Sequence, residues 1–314
     1  MQTNGLNYRV VIRQRFIRFA RTAIQANLTI FYVLDPDFNE ERLMVTNSTF
    51  THPVRTLREL ATSLEAALSV CIAGPSPKAV HRVRTTIRRI EAQMLLLAQI
   101  PHLPPHNQES KKLQKRLNKL SRIAATIRDL DVQRQLILLQ CNSQTAADAR
   151  RLRFHLKHKR ERETPALLRL LRRRSARIGI ALECLLDALQ PAENIVLPAT
   201  QLVRLAQRSF ARRHHAASTD KQLHATRKAA KLARYMVEGA PDSAQARKVA
   251  MEFESIQQAG GEWHDWLQLT VVAGKKLGKR HPLVQTFSRK CETSLRIYRG
   301  KLAKIKPRQI AESV

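Results

Sequence analysis

Aromatic side chains make up only 5% of the 314 residues, and the whole chain has 9 glycines. A sheet-rich fold wants more of both, aromatics to fill pleated faces and glycines to turn hairpins. Few aromatics also argue against a reader of single-stranded bases, which needs stacking platforms. Four cysteines, Cys71, Cys141, Cys184 and Cys291, lie far apart with no CxxC pair. That excludes a disulfide framework and a zinc cluster. No apolar run reaches the roughly 18 residues needed to span a bilayer; the longest, near Leu28–Leu34, is short and interrupted by Thr29. Acids are scarce as well. There are 25 of them against 56 Lys and Arg, a net charge of +31. A charge so lopsided repels itself in the compact state, so it implies a polyanionic partner.

The length allows a sizeable core and no more than about two domains. Residues 1–27 carry Arg9, Arg13, Arg15, Arg18 and Arg21 with no acid. A transit peptide looks like that; a secretory signal, with its compact apolar segment and small-residue cleavage site, does not. The cytoplasm is the expected compartment. Residues 1–50 form an N-terminal extension of uncertain status: either the start is Met44 and the upstream residues are a mis-assigned extension, or they form a small appendage.

From residue 54 the pattern is helical nearly throughout. Helices are expected near 54–73, 77–100, 108–141, 146–190 (broken near Pro165), 199–216, 220–238, 244–276 and 282–305. Pro53, Pro77 and Pro282 sit just inside helix starts, and Gly74 and Gly239 just past helix ends, the expected punctuation.

At about 100° per residue, His81, Arg84 and Arg88 of the second helix share a narrow arc, with Arg89 at its margin. Val83, Ile87, Ile90, Met94 and Leu97 oppose them. The helix at 220–238 repeats the scheme: His224, Arg227, Lys228 and Lys231 share an arc, and Ala229, Ala233, Met236 and Val237 oppose it. The two His-x-x-Arg-x-x-x-Arg/Lys motifs, at 81 and 224, are 143 residues apart, and the helices before them are about as far apart. The chain therefore reads as two copies of a four-helix unit, with repeats at 54–190 and 199–306. The third helix adds a stripe of Lys112, Lys115, Lys119 and Arg122, with Arg116 beside it, opposite Leu113, Leu117, Leu120, Ala124 and Ile127. It runs into Arg128-Asp129-Leu130-Asp131-Val132. Asp131 falls on the apolar side and needs a partner; Arg128, three residues back, is available, and it is a candidate anion ligand as well.

The order of these motifs resembles the CHAD domain (conserved histidine α-helical domain) over roughly 53–306. His224 through Tyr235 is the most specific stretch, and Arg128–Val132 the next. The resemblance implies an all-α fold of two four-helix bundles related by pseudo-two-fold symmetry, with a basic central pore or groove that binds inorganic polyphosphate. It extends the candidate site to Arg128, Arg234 and Tyr235. There are departures: Glu91 stands where a further Arg is usual, and the second Arg-Asp-Leu-Asp survives only as His264-Asp265-Trp266-Leu267. The second half is expected to bind more weakly, or to lean on His224, Arg227 and Lys231. No tunnel-type triphosphatase domain, sometimes fused to this module, is visible in 1–50.

Competing readings carry less weight. His81 and His224 sit among cations that repel a divalent metal, so neither a metal nor any other cofactor is expected. His264-Asp265 resembles the adjacent His-Asp of metal-dependent phosphohydrolases, but the further Asp ligands are missing, and the pair is read as a degraded repeat motif. The run at 150–177 holds 12 Lys or Arg spread around the helix; Lys157, Lys159, Arg160 and Arg172 to Arg174 are read as a solvated face. No Gly-rich phosphate loop, GxSxG or HExxH is present, so no catalysis is expected. The expected activity is binding of inorganic polyphosphate, in the cytoplasm and in association with polyphosphate granules, with no membrane contact. The alternative is nucleic-acid binding through the same basic surface.

Overall fold

The computed structural model describes residues 50–140, 143–214 and 219–305. The N-terminal extension with its 28–34 run, Cys141 and the tail from 307 onward lie outside the described residues.

Eight long helices account for nearly all of it. They are α1 (Pro53–Ala73), α2 (Pro77–Leu97), α3 (Asn107–Leu138), α4 (Ala146–Leu189), α5 (Ala199–Ala211), α6 (Asp220–Val237), α7 (Ala244–Leu277) and α8 (Pro282–Ala303). The fold is all-α. Two residues, β1 (Phe50–Thr51), pair antiparallel with β2 (Leu197–Pro198). This bridge ties the entry to α1 to the entry to α5. Among the described residues no helix is long and apolar enough to cross a membrane.

Local chemistry sets the helix starts. The Ser76 hydroxyl accepts from the Ala79 amide and Pro77 takes the first position of α2. Thr219 and Gln222 form a reciprocal capping box at α6. Ser243 caps α7, and His281 Nδ1 accepts the Leu283 amide at α8. Each cap satisfies a donor that the first turn leaves unpaired. At the far end of α7, Gly278 takes φ 91°, a left-handed value that suits glycine.

One expectation fails here. No break occurs at Pro165; α4 is one helix of 44 residues with the proline inside it. An interior proline costs about 3 kcal/mol. The burial of Leu167, Leu170 and Leu171 immediately beyond it, at about 1.5–3 kcal/mol per side chain, offsets that cost.

The core does not divide at the boundary between the halves. One cluster runs from Val54 and Leu57 on α1 through Ile87 and Ile90 on α2 to Met236 on α6, Trp263 on α7 and Tyr298 on α8. A second joins the distal ends: Leu130 and Ile137 of α3, Leu152 and Leu156 of α4, Trp266 and Leu269 of α7, and Phe287 of α8. Each draws on both halves. The halves meet through α2 against α6 and α3 against α7, so the polar arcs of these helices are brought together.

Candidate anion-binding site

The wheel arcs of α2 and α6 converge along this seam. Arg84 lies in the field of Arg88, Arg128 and Arg227; Lys231 in that of Arg84, Arg227, Arg88 and Arg234; Lys228 in that of Arg88 and Arg227. Arg84 and Arg227 are both half-buried, and burial comes first in pushing their pKa down. Burial, then the neighbouring cations, pushes Lys231 down to about 8. The protein thus holds like charges together on rigid helices and withdraws water from them. Two buried atoms of these arcs, Arg84 Nη1 and His224 Nδ1, have no hydrogen-bond partner among the described residues.

The histidines flank the cluster. His81 faces Arg128, Lys231 and Arg84. His224 packs against His264 with ring centroids 4.5 Å apart. Burial, followed by Arg227 and its neighbours, lowers His224 to about 4 and His264 to about 3. His81 is lowered too, by burial first and then by its cationic neighbours. All three rings are therefore neutral at pH 7, each an acceptor as well as a donor.

Other residues of the candidate set are committed elsewhere. Arg88 Nη1 donates to Glu91, which also accepts from Gln114 of α3. Arg89 reaches across the seam to Glu238 at 3.2 Å. Arg234 pairs with Glu238 at 3.1 Å and with Glu254 at 2.7 Å. Tyr235 is 6% exposed, and Arg89, Lys231 and Arg234 lie over its ring at 5.4, 5.7 and 4.9 Å from the centroid. This girdle fastens α2 to α6 and closes one side of the cluster. Lys112, Lys115, Lys119 and Arg122 are exposed on α3, and Lys112 pairs within its own helix with Glu109. They lie along the flank of α3 that leads towards Arg128 and Asp129, outside the packed centre.

One expectation about acids is corrected. Asp131 is paired with Arg160 of α4, not with Arg128; Arg160 Nε donates to Asp131 Oδ1 at 2.6 Å and Nη2 to the Pro75 carbonyl at 2.7 Å. Arg160 is thereby removed from the solvated run, its side chain only 15% exposed. Arg128 instead turns to the seam beside His81 and Arg84. Carboxylates also reach the cationic centre: Asp129 of α3 and Asp265 of α7 both face Arg84 and Arg227. The shared Asp in Arg128-Asp129 and His264-Asp265 was the available signal. Gly260 and Gly261 are a further omission. A Cβ at Gly260 would lie 2.8 Å from the Tyr298 ring and 3.1 Å from Arg227 Cγ, so the missing side chain lets Arg227 and Tyr298 close on α7.

A cavity of about 680 Å³ lies elsewhere, lined by Phe210, Val249, Phe253, Ile256 and the end of α8. It is mostly apolar and does not include the cationic cluster. Among the described residues no group of three or more His, Cys, Asp or Glu is arranged to hold a metal ion.

The family model for the CHAD domain matches residues 55–271. The chain belongs to the CHAD-domain family. Its fold is similar to that in the crystal structure of the CHAD domain from the plant Ricinus communis, with a TM-score of 0.59 and 18% identity, over 81% of this chain and 91% of that one. It is also similar to PptA from Streptomyces chartreusis, with a TM-score of 0.50 and 16% identity, over 82% of this chain and 99% of that one. No curated protein matches the chain. At these identities the likeness is one of fold.

Proposed function

We propose that this CHAD-domain protein binds inorganic polyphosphate at the α2–α6 seam and does so without catalysis, in the cytoplasm and in association with polyphosphate granules. The observation that carries this is the convergence of Arg84, Arg227, Lys228 and Lys231 into one partly desolvated cluster. Ordinary stability does not call for such a cluster, since each cation raises the cost of the others. A phosphate chain removes that cost. Arg offers forked donors matched to phosphate oxygens, and Lys a point charge. Rigid helices hold these donors in place before the ligand arrives, and binding then stabilises the fold by linkage.

Nucleic acid fits the same charge less well. Tyr235 is buried under three cations, and Trp263 and Trp266 are core residues. None of the three offers a face on which a base could stack. The test is competition of long-chain polyphosphate against duplex DNA and RNA at equal phosphate content. Polyphosphate should displace a labelled chain at about tenfold lower phosphate concentration than either nucleic acid, and affinity should fall steeply with salt. Equal competition would transfer the assignment to nucleic acid. Incubation with Mg²⁺ or Mn²⁺ should release no phosphate; release above a protein-free control would make the protein an enzyme.

A further inference from the structure

The two carboxylates that face the cationic centre, Asp265 half-buried and Asp129 on its exposed side, have no place in a simple anion track. They come from matched positions, Arg128-Asp129-Leu130 on α3 and His264-Asp265-Trp266 on α7, and Asp265 lies in the field of Asp129. Asp129 Oδ1 is 3.8 Å from Arg84 Nη1. That is beyond hydrogen-bond reach. Pairs outside the centre are made differently: Arg234 meets Glu254 at 2.7 Å and Arg160 meets Asp131 at 2.6 Å. At the centre, Arg84 is opposed by a carboxylate but not satisfied by it.

We propose that Asp129 and Asp265 are internal counter-ions of the anion site, holding the ground between Arg84 and Arg227 that a phosphate of the ligand takes over, and that Asp265 accepts a proton from solvent as the ligand enters. This rests on the polyphosphate-binding reading. The charged groups facing Asp265 are Arg227 of α6, Asp129 and Arg128 of α3 and Arg84 of α2, with His264 beside it on α7. Burial, against the pull of Arg227, already pushes Asp265 up to about 6. A phosphate bound to Arg84 and Arg227 cancels that pull and adds negative charge of its own. Both effects favour the protonated carboxyl, which then donates its O–H to a phosphate oxygen. The pair also selects by charge density: a lone anion must compete with two fixed carboxylates, whereas a chain brings several adjacent phosphates at once.

The experiment titrates long-chain polyphosphate into wild type, Asp129→Asn, Asp265→Asn and the double variant. Calorimetry from pH 5 to 8, at constant ionic strength and in buffers of differing ionisation enthalpy, yields affinity and proton uptake together. Asp265→Asn should bind about tenfold tighter at pH 8, close to wild type at pH 5, and take up fewer protons at pH 7. The double variant should bind tighter still at pH 8. Variants with native helical CD that bind no tighter at pH 8, or an unchanged proton uptake in Asp265→Asn, would overturn the proposal. Should the variants not fold, carboxyl ¹³C shifts of wild type decide: Asp265 must move to its protonated shift at pH 7 when polyphosphate is added, and a static shift refutes it. If wild type binds no polyphosphate at any pH, the binding reading itself has failed. The counter-ions are then judged on the free protein with sulfate as probe. At pH 8, replacing chloride by sulfate at equal ionic strength should raise the Tm of the double variant more than that of wild type, and equal rises dismiss the role.

Discussion

The two halves carry the same polar arc on different supports. Arg84 and Arg227 occupy matched positions, yet Arg84 leans loosely on Asp129 whereas Arg227 is packed between Gly260 and Tyr298. Three residues after Arg88 stands Glu91, which neutralises it; three after Lys231 stands Arg234, which is satisfied by Glu238 and Glu254, so that Lys231 has the Tyr235 ring but no carboxylate partner among the described residues. The supports differ in bulk. Aligned on the shared Asp, Ala124, Ile127 and Leu130 of α3 correspond to Gly260, Trp263 and Trp266 of α7. Trp263 stacks on Tyr298 and Trp266 tilts against Phe287. The second half, with α5 and α8 shorter than α1 and α4, fills its core with large rings and needs a glycine where the first half has alanine. One donor pattern can thus be held by two cores, and the copy packed with large rings holds Lys231, a cation with no ion pair among the described residues, where the first half holds the Glu91-paired Arg88.

If that asymmetry matters, charge reversal should expose it. Arg227→Glu with Lys231→Glu should weaken polyphosphate binding by about 100-fold, and Arg84→Glu with Arg88→Glu by about tenfold, because Arg88 already has Glu91. Titration with long-chain polyphosphate, alongside helical CD to show intact folds, measures both. Equal losses would mean that the halves contribute alike.

The packing side of the comparison has its own test. Gly260→Ala places a methyl group against the Tyr298 ring and should destabilise the protein by about 2 kcal/mol, in the range of overpacked cores. Ala124→Gly, at the matched position of α3, should cost about 2 kcal/mol, through helix propensity and the loss of a fully buried methyl group. Chemical denaturation of both variants measures the two costs. A harmless Gly260→Ala would mean that Tyr298 and Arg227 have room to retreat.

Much of the helical scaffold was legible because its period is strong. Caps and breaks such as Ser76-Pro77, Gly239 and His281-Pro282 mark starts and stops that local chemistry alone sets. Pro165 misled because its cost is local while the leucines that offset it are buried by other helices. Asp131 misled for the same reason: Arg128 is its neighbour on the wheel, but Arg160 arrives from α4, 29 residues away. The arcs of α2 and α6 were readable as arcs. That Asp129 and Asp265 would both face Arg84 and Arg227 depends on how α3 crosses α7, which no single-helix wheel contains.

Acid sharpens the comparison further. The folded pKa values of His224 and His264, about 4 and about 3, lie below the ordinary 6.5. The unfolded chain thus binds their protons more readily, and their contribution to stability is present above about pH 6.5 and lost as pH falls towards 4. Asp265 works the other way: raised to about 6, it adds stability as pH falls from about 6 to 4. Two rings outweigh one carboxyl, so Tm should fall between pH 6.5 and 4.5. His224→Gln with His264→Gln should flatten that fall. His81→Gln should change it less, since the His81 side chain is the more open to solvent of the three and screening weakens the effect of its neighbours. A Tm series that drops equally in wild type and the double variant would place the acid sensitivity elsewhere.

The smallest effect is expected from the exposed stripe of α3, and its size depends on the ligand. At about 100° per residue, Arg122 and Lys115 lie within about 40° of Asp129, and Lys119 and Lys112 within about 100°. The stripe therefore runs along the helix away from the seam and does not enter it. A short chain that fills the seam does not reach these residues, whereas a long one passes over them. In water such contacts are worth little each, about 0–1 kcal/mol, and they are screened by salt. Neutralising Lys112, Lys115, Lys119 and Arg122 to Gln should leave tripolyphosphate binding unchanged and weaken long-chain binding about threefold at low salt. The loss should vanish near 0.5 M salt, where the Debye length shrinks to about 4 Å. A loss shared equally by tripolyphosphate would place the stripe inside the site. No loss with long chains would end the track at the seam, where Arg84 of the first half meets Arg227 of the second.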